Sequence, residues 1–318
     1  MPLRSSDTPT PTFSPDGVVP HNGRHEFETV ELGGLPIQSP MSEREKPVSE
    51  LPYANRPFRV GVQLQPQHAD YVALRRAVDA AEDAGVDVIL TWDHFFPLGG
   101  DRGGKHFECW TMLAAWAEQT ERAELSALVT CNSYRNPDLL ADMARTIDHI
   151  SGGRLILGIG AGWFEKDYDE YGYEFGTPGS RIRALGEALP RIRSRWSRLN
   201  PPPMRPIPIL IGGGGERRTL RLVAEHADIW HGFGNVETLA RKNRVLDEWC
   251  AKVGRDPGEI ERSTSAHSGP EELGEQLVAM GERLITVGTD GTSGFDLALV
   301  RDWLQFRDEH NADLSERS

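Results

Sequence analysis

Leu155-Ile156-Leu157-Gly158-Ile159-Gly160-Ala161-Gly162 is the stretch that decides how the rest of the chain reads. Leu155–Ile159 is apolar without alternation, as a parallel strand covered on both faces must be. The glycines that follow suit a strand turning into a loop. Upstream, Asn136-Pro137 opens a helix over Asp138–Ile150 that Ser151-Gly152-Gly153 stops. Downstream, a longer helical excursion runs from Trp163 to Leu199. Strand then helix, repeated, is the pattern of a parallel sheet.

The alternation continues in both directions. Phe58–Leu64 reads as a strand, Ala69–Ala84 as a helix that Gly85 caps, and Val86–Thr91 as the next strand. A loop with Gly99, Gly100, Gly103 and Gly104 leads to a helix over Phe107–Gln119 and a third strand over Leu125–Cys131. After the excursion come strands Ile207–Ile211, Asp228–Trp230, Ile260–Thr264 and Leu284–Val287. Helices Arg217–His226, Val236–Val253, Glu271–Met280 and one near Leu297–Phe306 follow them in turn. Eight such units in roughly 260 residues match an α/β fold of the (β/α)8 TIM-barrel type. A doubly wound open sheet is the alternative, but neither Gly158-Ile159-Gly160 nor Gly212–Gly215 has the third glycine of a dinucleotide fingerprint, and no Walker lysine follows.

Two parts of the chain differ in composition. Residues 1–57 hold 10 of the 22 prolines, with few apolar residues and no period, and read as a disordered Pro/Ser-rich extension. Residues 58–318 form the barrel domain. The net charge of −13 disfavours nucleic acid and anionic membranes as partners and suits a small-molecule substrate. The cysteines Cys109, Cys131 and Cys250 are odd in number and lack a CxxC pair, so they read as small core residues. No disulfide framework or metal site is expected, and a reducing cytoplasm is the expected location. No signal peptide or membrane span is read.

In a TIM barrel the loops after the strands make the active-site face. Asp93-His94 follows the second strand, where an imidazole can take or give a proton near neutral pH. A helix-cap pair would look the same. Gly160 and Gly162 follow the fourth strand and would let backbone approach a ring or phosphate, or merely make a tight turn. Glu165 beyond them is a candidate proton donor, or a solvated loop carboxylate. Gly212-Gly213-Gly214-Gly215 joins the fifth strand to a helix N-terminus, which makes phosphate binding the better reading over a flexible connector. Arg181, Arg183, Arg191, Arg193, Arg195 and Arg198 on the excursion read as a solvated face, with contact to a polyanionic cofactor tail as the other reading. Trp92, Trp163 and Trp230 could wall an aromatic pocket or fill the barrel rim.

Val88-Ile89-Leu90-Thr91-Trp92-Asp93-His94-Phe95 resembles the second strand of luciferase-like monooxygenases, notably their deazaflavin (coenzyme F420) branch. Leu157–Trp163, Ile209–Glu216, Ala227-Asp228-Ile229-Trp230 and Val253-Gly254-Arg255-Asp256-Pro257 resemble later segments of the same family, so the likeness covers Phe58–Asn311. The resemblance implies that Asp93 hydrogen-bonds the cofactor and that His94 is the acid/base. It implies that Thr130 contacts the cofactor and that Gly213 and Gly214 bind its phosphate. It also implies a bulge with a cis non-proline bond behind the ring, near Ala127-Leu128. The β-hairpin that many relatives carry before the fifth strand is missing, since Trp196 runs into Asn200-Pro201-Pro202-Pro203. Trp163 stands where sugar-phosphate-oxidising relatives place an acid, which speaks against that substrate.

The resulting expectation is an F420-dependent oxidoreductase that transfers a hydride between the deazaflavin and a small organic substrate. The alternatives are an FMN-dependent monooxygenase fed by a partner cofactor reductase, and a non-catalytic cofactor-binding barrel. Relatives are often dimers, so a homodimer is the assembly the resemblance suggests. The Gly99–Gly104 loop is a candidate lid.

Overall fold

The computed structural model describes residues 56–317. The expectation of a disordered extension over residues 1–57 therefore lies outside the described residues, apart from its last two. The strands are β1 (Arg59–Leu64), β2 (Val88–Thr91), β3 (Glu124–Ala127), β4 (Thr130–Cys131), β5 (Leu155–Gly160), β6 (Ile209–Gly212), β7 (Ile229–Gly232), β8 (Glu261–Ala266) and β9 (Glu282–Thr289). They hydrogen-bond in the order β3-β2-β1-β9-β8-β7-β6-β5-β4, every pairing is parallel, and β3 also pairs with β5. The ring is thus closed, and β3 and β4 are two halves of one barrel strand. The chain is an eight-position parallel barrel, as the alternation predicts.

The helices are α1 (Tyr71–Ala84), α2 (Cys109–Gln119), α3 (Pro137–Ile150), α4 (Glu165–Tyr171), α5 (Pro178–Trp196), α6 (Thr219–His226), α7 (Val236–Val253), α8 (Pro270–Ala279) and α9 (Ala298–Arg317). Apart from the short α4, which buries Asp167 and Tyr168, they turn apolar stripes to the barrel. In α1 the buried residues are Leu74, Ala77, Val78 and Ala81, spaced i, i+3, i+4, i+7. Its end is set by Gly85, whose φ of 88° is left-handed and whose amide reaches back to Ala81. Asn136 caps α3 by accepting from the Asp138 amide, with Pro137 at the first helical position. Along β2, Ile89 joins the layer between strands and helices, while Val88 and Leu90 join a second cluster with Ile156, Leu210, Ile229 and Leu284. That alternation identifies the second cluster as the side chains filling the barrel's interior.

The excursion is helical, as expected, and divides into α4 and α5 because Gly172 takes φ 68° and Thr177 starts a new capping box. Three details depart from the sequence expectations. The third strand is interrupted at Leu128–Val129, whose peptide bond is cis, one residue beyond the expected place. The last strand begins at Glu282 rather than Leu284, since Glu282 and Arg283 are buried rather than part of a loop. The last helix continues from Phe306 to Arg317. Between Trp196 and Ile209 there is no strand, so the expected lack of a hairpin holds. Among the described residues, no helix is long and apolar enough to cross a membrane.

Candidate active site

A cavity of about 450 Å³ opens at the C-terminal ends of β2, β4, β5 and β6. Trp92, Asp93 and His94 line it from β2, and Leu128, Val129, Thr130 and Cys131 from the broken third strand. Gly160, Ala161, Gly162 and Trp163 come from β5, and Gly212 and Gly213 from β6. Six of the eight residues singled out from the sequence as catalytic or cofactor-binding therefore share one cavity. Glu165 and Gly214 are the two that do not line it.

His94 is mostly covered, and its Nδ1 lies 2.7 Å from Asp167 Oδ2. Asp167 is wholly buried on α4 and also accepts from the Phe95 amide at 3.2 Å and from Tyr134 Oη at 3.0 Å. Burial pushes the Tyr134 phenol up, so it remains a donor. Glu165 is the exposed first residue of α4, and Asp167, two residues on, is the carboxylate that reaches the imidazole. The rings of Trp92, Trp163 and Phe164 stand edge-on to His94 at 5.9, 5.6 and 5.4 Å.

Asp93 has a different surrounding. Arg135 donates to both its oxygens, at 2.6 and 3.0 Å, and the Cys131 amide donates at 3.0 Å. Burial pushes the carboxyl up, while Arg135 and the Cys131 amide pull it back. Arg135 also reaches Glu108, which caps α2 by accepting from the Trp110 and Thr111 amides. Asp93 thus lines the cavity with both oxygens accepting from protein, Oδ2 twice and Oδ1 once. Thr130 lines the wall too, and its hydroxyl accepts from the Trp110 indole at 3.2 Å.

The glycines divide by task. Gly162 has φ 82°, and a Cβ there would collide with Tyr168 Oη and approach Cys131 Sγ at 2.6 Å. Only glycine lets the chain turn from β5 into α4 so tightly. After β6, the Gly213 amide donates to the His231 carbonyl, and the Gly213 carbonyl accepts from the Trp230 indole. The amides of Gly214 and Gly215 find no acceptor among the described residues. Lys242 Nζ packs against Gly214 while donating to the Phe233 carbonyl at 2.9 Å.

The sequence reading of the arginines holds for most of them, but Arg181 is buried and lines the cavity. It donates to the carbonyls of Gly162 and Phe175 and lies 3.9 Å over the Phe175 ring. Of the three tryptophans, Trp92 and Trp163 wall the cavity, Trp163 being 64% exposed at its mouth, while Trp230 is core. His231 also belongs to the core, between Ser263 and Ser265, and burial pushes it down to about 3. The Gly99–Gly104 loop sits at the rim, with Arg102 over the Phe164 ring and His68 bonded to the Gly99 carbonyl.

A family model described as luciferase-like monooxygenase matches residues 55–286. A Mycobacterium tuberculosis protein provisionally named a coenzyme F420-dependent oxidoreductase is 31% identical over 224 residues, covering 61% of this chain and 59% of the relative. The pyrimidine monooxygenase of Stutzerimonas stutzeri is 29% identical over 215 residues, covering 60% and 59%. The chain spans about three fifths of the length of the curated relatives it matches. Among solved structures, an F420-dependent secondary alcohol dehydrogenase in complex with an F420-acetone adduct superimposes with a TM-score of 0.68. At 16% identity, over 77% of this chain and 97% of the other, that likeness is one of fold.

Proposed function

The chain belongs to the luciferase-like monooxygenase family, and on that premise we propose an oxidoreductase that passes a hydride between coenzyme F420 and a small organic substrate. The observation that carries the reading is His94, held by a buried carboxylate on the wall of the cavity where the barrel's strand ends meet. The residues fit a planar ring with a phosphate tail. Leu128, Val129 and Gly160 give the cavity an uncharged wall, and the free amides of Gly214 and Gly215 beside Lys242 Nζ give an anion site. A bound deazaflavin supplies two-electron hydride chemistry.

The protein's own groups do the rest. His94 takes or returns the proton through Nε2, the nitrogen that Asp167 leaves unengaged. Trp92, Trp163 and Phe164 exclude water around that imidazole. Asp93 holds Arg135 and the Cys131 amide, and through them the wall that carries Thr130.

Purification from a host that makes both cofactors, with mass and absorbance of what is retained, tests this reading. Deazaflavin in the purified protein is expected. FMN alone would favour a monooxygenase served by a partner reductase. With a substrate in hand, His94→Ala should reduce turnover by about a hundredfold or more, and unaltered turnover would remove His94 from the chemistry.

A further inference from the structure

The short helix α4 is placed by Gly162, whose left-handed turn lets Tyr168 fold under the loop. Phe164, Asp167, Tyr168 and Tyr171 recur at i, i+3, i+4 and i+7, so one carboxylate sits within an aromatic stripe. A buried carboxylate among aromatic rings needs donors, and three converge on it. His94 Nδ1 and Tyr134 Oη meet Oδ2, and the Phe95 amide meets Oδ1. Both neighbours in His94-Phe95 are thereby clamped to one side chain that lies 73 residues further along the chain.

We propose that Asp167 is the positioning residue of this site: it fixes neutral His94 with its proton on Nδ1 and presents Nε2 as the acceptor. An ionised carboxylate only accepts, so the imidazole in contact with it must donate from Nδ1. When Nε2 takes a proton, the resulting imidazolium faces the Asp167 anion and is stabilised by it. The other groups facing the imidazole do not offer this. Trp92, Trp163 and Phe164 present ring edges, and His106 accepts from the Trp92 indole as a neutral base. Asp93 and Glu108 are paired to Arg135, Arg181 and Cys131 lie along the cavity wall, and Arg102 and Lys166 cover Phe164 and Phe96. The inference rests on His94 handling the proton, but the tautomer belongs to the protein without cofactor.

The test is nitrogen-15 NMR of full-length, histidine-labelled protein without cofactor, with the His94 signals identified by their loss in His94→Gln. The expected result is the Nδ1–H tautomer in the unaltered protein, and in Asp167→Leu, which offers Nδ1 no acceptor, a shift of population toward the Nε2–H form. Tyr134→Phe removes the other side-chain donor to Oδ2 and leaves the carboxylate as acceptor, so the Nδ1–H tautomer should persist there. An Nε2–H tautomer in the unaltered protein, or a tautomer that Asp167→Leu leaves in place, overturns the assignment. Should Asp167→Leu not fold, as judged by circular dichroism, the unaltered protein and Tyr134→Phe decide, and an Nε2–H form in either overturns it. Failure to bind a deazaflavin would count against the proposed function and leave this result standing.

Discussion

Asp93 and Arg135 meet as a two-pronged ion pair, Nη1 to Oδ2 at 2.6 Å and Nη2 to Oδ1 at 3.0 Å, and Arg135 turns its second nitrogen to Glu108 as well. The pair ties the end of β2 to the loop after β4 and the cap of α2. Asp93→Ala would leave a mostly buried guanidinium without its main partner, at a cost of about 3–5 kcal/mol. The measurement is the urea midpoint of the protein without cofactor. An unchanged midpoint would return Asp93 to the simpler role of a cofactor contact.

Gly162→Ala should disturb the site from a distance. Its Cβ would collide with Tyr168 Oη at a left-handed φ, which should cost about 1–3 kcal/mol and shift α4 away from His94. Tyr168→Phe removes the colliding oxygen, so the double variant should recover part of the loss. Strict additivity of the two changes in a thermal-melt cycle would show that this contact does not set the position of α4.

Trp163 and Trp230 should separate binding from stability. Trp163 is exposed at the cavity mouth, so Trp163→Ala should change stability by no more than about 0.5 kcal/mol while weakening ligand binding. Trp230 is wholly buried and its indole holds the Gly213 carbonyl, so Trp230→Ala should cost about 3–5 kcal/mol. Melting temperatures and ligand titrations on the two variants check both statements, and a large loss of stability in Trp163→Ala would contradict them.

Stability should also fall in mild acid. Burial holds His231 at about 3, and burial with nearby His94 holds His106 at about 4, against 6.5 for an unperturbed histidine. Between these values and 6.5 the unfolded chain binds protons that the folded chain does not. Stability is therefore present above about pH 6.5 and is lost as pH falls toward 3, by up to about 1.4 kcal/mol per pH unit for each histidine. His231→Gln should flatten the fall in urea midpoint between pH 6.5 and 4. A variant profile as steep as the original would assign the acid sensitivity elsewhere.

The barrel was legible because most of its strands are apolar runs that end in glycine or a turn, as Leu155–Gly160 shows, whereas β8 is mostly polar. Charged strand ends were less legible: Glu282 and Arg283 look like loop residues until the contact with Asn243 across the fold is seen. Of the site, His94 could be read from its place after β2. Asp167 was missed because Glu165, Asp167, Asp169 and Glu170 crowd one short segment, and composition does not say which of them faces inward. A signal was present, since only Asp167 shares a helical face with Phe164, Tyr168 and Tyr171. Arg135 stands four residues beyond the expected third strand, Leu125–Cys131, and its importance comes from a partner 42 residues away.

The most direct test of the account is to titrate the purified protein separately with coenzyme F420 and with FMN while following ring fluorescence. Saturable binding of the deazaflavin is expected, weakened when Lys242 is changed to alanine beside the Gly214 amide. Tight binding of FMN with no binding of the deazaflavin would contradict it.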